Sequence, residues 1–124
     1  MREEAPSTAG SAFNLEDLLE RVENDRELLR NLLEIFLQDF PRYTCTLKEA
    51  VAKGEVQKVQ AVSHTLKGML SNLAMDRASA LAAKLEELGR DGQRTGLEGV
   101  FRQLEQEVAG LLPEVEKYMR EAHG

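Results

Sequence analysis

The chain has 124 residues, with 16 Lys and Arg against 22 Asp and Glu and a formal net charge of −6; one domain is expected, able to bury roughly two thirds of its unfolded surface. One cysteine, Cys45, excludes an internal disulfide framework, and with only two histidines it falls short of an ordinary zinc set, so no metal and a reducing, cytoplasmic setting are the expectations. Dispersed cations and the lack of Trp argue against nucleic acid, and no window nears the roughly 18 apolar residues of a membrane span.

Residues 1–12, with Pro6, Gly10 and several Ser, Thr and Ala, have no periodicity and read as a disordered lead or linker; the folded domain is expected over 13–124. Asn14 is a good N-cap for a short helix whose apolar side is Leu15, Leu18, Leu19 and Val22. Asn24 or Asp25 restarts the chain. A longer helix follows, broadly apolar through Leu28, Leu29, Leu32, Leu33, Ile35, Phe36 and Phe40. Pro41 disfavours helical geometry at Phe40, yet Tyr43, Leu47, Ala50 and Val51 resume the pattern, which predicts two abutting helices or one kinked helix, closed by Lys53-Gly54.

Between residues 55 and 73 Val59, Val62, Leu66, Met69 and Leu73 recur three and four apart, the spacing of a helix with one buried stripe. Asp76 is the expected cap of a helix carrying Ala78, Leu81, Ala82, Leu85 and Leu88 and ending within Gly89 to Gly92; the short turn before it predicts antiparallel packing. A long last helix runs through Leu97, Val100, Phe101, Leu104, Val108, Leu111, Leu112, Val115 and Tyr118, with a bend expected at Pro113. No strand-like alternation is present. The fold expected is all-α: an antiparallel four-helix bundle over 41–53, 55–72, 76–91 and 95–121, with short N-terminal helices packed over one end.

His64 stands out by its direction. At roughly 100° per residue it lies about 180° from the midpoint of Val62 and Leu66, on an outward strip shared with Gln57, Gln60, Lys67, Gly68 and Ser71. A neutral imidazole is a good nucleophile near pH 7, and an exposed one can attack phosphorus. Lys67, three residues on, would place a cation beside the incoming phosphoryl oxygens. Gly68, four residues on, would leave room for an approaching protein at a helix-propensity cost of about 0.5–1 kcal/mol. His123, beside Gly124, has no such context, and Cys45 has no basic neighbour to activate it. Gly89, Gly92, Gly96 and Gly99 are too irregular for a nucleotide loop, and no carboxylate cluster suits Mg²⁺. The chain is therefore not expected to phosphorylate itself from ATP: it is read as a phosphate carrier rather than an enzyme, with no cofactor of its own.

The runs Ala61-Val62-Ser63-His64-Thr65-Leu66-Lys67-Gly68, Ser71-Asn72-Leu73-Ala74 and Ala83-Lys84-Leu85-Glu86-Glu87-Leu88-Gly89-Arg90, with the upstream Phe36-Leu37-Gln38-Asp39-Phe40-Pro41, resemble the histidine-containing phosphotransfer (HPt) domain of multistep phosphorelays over most of residues 13–120. The resemblance implies His64 as the phosphorylated residue, Lys67 as its phosphate-stabilising cation and Gly68 as the access position. It implies response-regulator receiver domains as partners, the receiver of a hybrid sensor kinase among them, with Mg²⁺ held by the receiver, and a monomer that makes transient contacts. The chain departs from the family at Ala74, usually Gly, and at Met75, usually Ala. The docking surface is expected around Gln57, Gln60, Ala61, His64, Gly68 and Ser71, and Lys84 is expected to flank the site from the next helix, whose level falls opposite His64. The alternative is a helical module that binds a partner without transfer.

Overall fold

The computed structural model describes residues 14–123; the lead expected over 1–12 lies outside them, as does the side chain of His123. Among the described residues there are five helices and no strand: α1 Leu15–Arg21, α2 Arg26–Lys53, α3 Val56–Asn72, α4 Asp76–Arg90 and α5 Leu97–His123. Helices α2 to α5 form the antiparallel bundle, each packed against two others. α3 and α4 make the closest pair, and α1 packs onto α2 at one end. There Arg21 Nη1 donates to the Ser71 carbonyl at 2.9 Å, tying α1 to the end of α3.

Local chemistry sets the helix ends. The side chains of Asn14 and Asp25 accept from the amides of Asp17 and Leu28, both at 3.0 Å, and so satisfy first-turn donors of α1 and α2. Gly54 closes α2 at φ +68°, a left-handed conformation open to glycine without strain. Inside, Leu29, Leu33, Phe36 and Leu47 of α2 meet Val59, Leu66 and Leu70 of α3, Ala78, Ala82 and Leu85 of α4, and Leu104 and Val115 of α5 in one fully buried cluster. Each large side chain there contributes about 1.5–3 kcal/mol of burial.

Two expectations need correction. Residues 26–53 form one helix, so α1 is the only separate short N-terminal helix among the described residues. Pro41 has no N–H for the carbonyl one turn back, but Leu29, Leu33, Phe36, Phe40, Leu47 and Ala50 make one buried face on both sides of it. That continuous burial outweighs a local cost of about 3 kcal/mol. α5 runs through Pro113 as the one long helix expected. The cap of α4 is Met75, with no side-chain bond, and Asp76 is the first helical residue. Met75 is fully buried, and its amide is taken by the Leu70 carbonyl at 3.0 Å, so the end of α3 dictates where α4 starts. α4 ends at Arg90, within the expected stretch from Gly89 to Gly92, and Gly89 lies inside it and is buried. A Cβ there would stand 2.7 Å from the Val56 carbonyl oxygen and 2.8 Å from the Gln60 amide nitrogen, so the residue permits close approach of two backbones.

Candidate functional site

Helix α3 turns Val59, Ser63, Leu66 and Leu70 into the core and so turns His64 outward, its side chain 68% exposed. Lys67 follows on the flank nearest α4. The imidazole Nδ1 lies 2.8 Å from Glu86 Oε2 and the Lys67 Nζ lies 2.7 Å from Glu86 Oε1, so one carboxylate from α4 spans both residues. Glu86 is only 12% exposed. The hydrogen bond from Lys67 holds its carboxyl below the ordinary value of 4.5, with the hydrogen bond from His64 and the charge of Lys67 acting the same way and burial opposing them.

The tautomer follows. An ionised carboxylate can only accept, so Nδ1 carries the hydrogen and donates; in the neutral ring this leaves Nε2 as the basic nitrogen, on the side away from Glu86. The register that brings Glu86 here is fixed on both sides. Towards the turn Ser79 Oγ donates to the Lys67 carbonyl at 3.2 Å, and one turn beyond Glu86 the bare backbone of Gly89 sits against Val56 and Gln60.

Other residues of the strip fall as follows. A Cβ at Gly68 would meet nothing within 4 Å, so the surface one turn from the imidazole is open. Gln57, Ala61 and Ser71 are exposed, and the Ser71 carbonyl is engaged by Arg21. Gln60 is half-buried with its backbone in the α3–α4 contact. Ala74, at the departure from the family pattern, takes φ +56° and is buried; its amide bonds the Ser71 carbonyl at 3.0 Å, so an alanine makes the left-handed turn that glycine makes at no steric cost.

Glu86 is the α4 residue that bonds His64, and Lys84 flanks the site as expected. It is exposed and lines a shallow depression beside the site with Lys67, Glu86, Glu87 and Arg90. Positions 84 and 86 point about 200° apart on a helix, so the level of the hairpin does not by itself say which side chain bonds the imidazole. Glu86 received no role from the sequence. It stands between buried Leu85 and half-buried Leu88, at the edge of the core stripe of α4. An acid there, facing a helix with His and Lys three apart, was the available signal.

The Hpt domain family model matches residues 31–114, more than half of the chain and all of the His64, Lys67 and Glu86 constellation. The chain belongs to the Hpt domain family. Among solved structures it is similar to histidine-containing phosphotransfer protein B of Pseudomonas aeruginosa, with a TM-score of 0.82 and 22% sequence identity over 89% of this chain and 96% of that one. That likeness shows the helical-bundle fold. No curated protein sequence matches the chain. As an Hpt domain it has a histidine phosphotransfer role, and among its described residues no helix is long and apolar enough to cross a membrane.

Proposed function

We propose that this Hpt domain is a phosphorelay intermediate that accepts a phosphoryl group on His64 from the aspartyl phosphate of one receiver and passes it to the aspartate of another. The observation that carries the reading is the bond between Nδ1 and Glu86, which makes Nε2 of an exposed imidazole the nucleophile. In the first half Nε2 attacks phosphorus, the N–P bond forms and the O–P bond of the acyl phosphate breaks, with the aspartate leaving as a carboxylate. In the second half the aspartate of the next receiver attacks and the N–P electron pair returns to Nε2. Lys67 supplies a cation beside the transferring oxygens, and Gly68 leaves room for the receiver, whose footprint covers the strip with Gln57, Ala61 and Ser71. Mg²⁺ comes with the receiver. The domain acts as a carrier and not as a kinase.

The test is incubation with a phosphorylated receiver and Mg²⁺. One acid-labile, base-stable phosphoryl group is expected on the chain, none from ATP alone and none on His64→Gln, whose fold is checked by melting. Full labelling of His64→Gln would move the site elsewhere. A folded wild-type chain that binds receivers without labelling would mark an interaction module instead.

A further inference from the structure

We propose, building on the phosphotransfer reading, that the outer face of α4 around Lys84 is a second contact area for the receiver, and that Lys84 is a specificity-determining residue that selects receivers with an acidic side chain beside their phosphorylated aspartate.

The surface of α4 next to the site has two parts. On the flank nearest α3, Glu86 is committed to His64 and Lys67. On the outer face Ala80, Ala83, Lys84 and Glu87, with Arg90, line a shallow depression that reaches Lys67. Position 84 lies about 200° round the helix from position 86, so Lys84 points away from the imidazole and from the bonds that change there. Lys67 is held by Glu86 at 2.7 Å, whereas neither Lys84 nor Arg90 forms an ion pair or a side-chain hydrogen bond among the described residues. Both are open to a partner. Ala80 is exposed and Ala83 half-buried, and their single methyl groups keep the floor of the depression low between long charged side chains. A side chain from a protein seated over His64 can enter without displacing any part of α4.

Charge identifies the occupant. The whole chain carries a net charge of −6, yet the lining of this depression has three cations, Lys67, Lys84 and Arg90, against two acids, Glu86 and Glu87. A receiver brings the opposite sign: its aspartyl phosphate and the oxygen ligands that Mg²⁺ demands make the face it turns to His64 anionic. In-line transfer holds that face over Nε2, and the depression lies at its edge. An acidic side chain there meets Lys84, and a basic one meets a like charge. Rim charges of this kind act on encounter and on partner choice, and their effect falls as salt rises.

The test uses Lys84→Gln and Lys84→Glu at this exposed helical position, with their folds checked by melting. Receiver domains are labelled with acetyl phosphate and Mg²⁺, and one that labels wild-type His64 is taken as donor. Initial rates against receiver concentration are compared at about 50 mM and about 500 mM NaCl, either side of physiological screening. At the lower salt Lys84→Glu should reduce kcat/KM about three- to tenfold with kcat unchanged, Lys84→Gln should fall between, and at the higher salt all three proteins should agree within about twofold. Phosphoramidate, which has no protein surface, should label His64 equally in all three. Changing the acidic residues around the receiver's aspartate to Lys, one at a time, should yield one receiver that restores transfer to Lys84→Glu and transfers less well to wild type. Equal kcat/KM at low salt, a loss independent of salt, or no rescue by any such receiver would overturn the proposal. Slower phosphoramidate labelling would overturn it too, by showing that Lys84 acts on His64 itself. If phosphoramidate labels wild-type His64 and no receiver does, the relay reading is overturned, and the receiver surface assigned to α4 with it.

Discussion

Two side chains one position apart on α3 have opposite surroundings. Ser63 is fully buried and its Oγ has no hydrogen-bond partner, whereas His64 is exposed and held by Glu86. A buried hydroxyl without a partner costs about 1–3 kcal/mol, and Ala is the better helix former. Ser63→Ala is therefore expected to raise stability by about 1 kcal/mol in urea denaturation. Glu86 gives a prediction of its own. Its folded-state carboxyl is lowered, so its contribution is fully present above the ordinary value of 4.5 and is lost as pH falls through the lower folded value. Urea midpoints of wild type should exceed those of Glu86→Gln at pH 6, and the difference should shrink steadily towards pH 3. A constant difference across that range would show that the ion pair does not contribute through its charge.

The pairing of α3 with α4 is the element on which the site depends, since His64 and Lys67 come from one helix and Glu86 from the other. Gly89 lets the two backbones meet. Gly89→Ala would drive a methyl to 2.7 Å from a backbone oxygen that cannot swing aside, so the helices must separate. A loss of about 1–3 kcal/mol is expected in chemical denaturation, together with slower transfer at temperatures where the variant is still folded, because Glu86 moves with α4. Gly68 is the opposite case, with open space around it. Gly68→Gln improves helix propensity by about 0.5–1 kcal/mol, so the melting temperature should hold or rise while transfer and receiver binding both fall. Unchanged transfer with an intact fold would show that no partner passes over this position.

For the whole molecule, α2 to α5 close a ring around an apolar core, and among the described residues there is no group of three or more His, Cys, Asp or Glu that could hold a metal ion. A chelator should therefore stop transfer from a receiver while leaving the melting curve of this chain unchanged; a drop in its melting temperature would reveal a structural metal. The amino-acid sequence by itself determined the helical class, the cap at Asn14, the stop at Gly54 and the outward direction of His64, Lys67 and Gly68. These are local matters of period, cap chemistry and backbone conformation, set within one or two turns of chain. The continuity of α2 through Pro41, the start of α4 at Met75, the close contact at Gly89 and the choice of Glu86 over Lys84 were decided by tertiary structure. Each depends on what a second helix places opposite: a burial gain large enough to outweigh a lost hydrogen bond, a backbone close enough to exclude a methyl, or a register in which a two-residue step turns one side chain away and brings a carboxylate within 3 Å of both an imidazole and an ammonium.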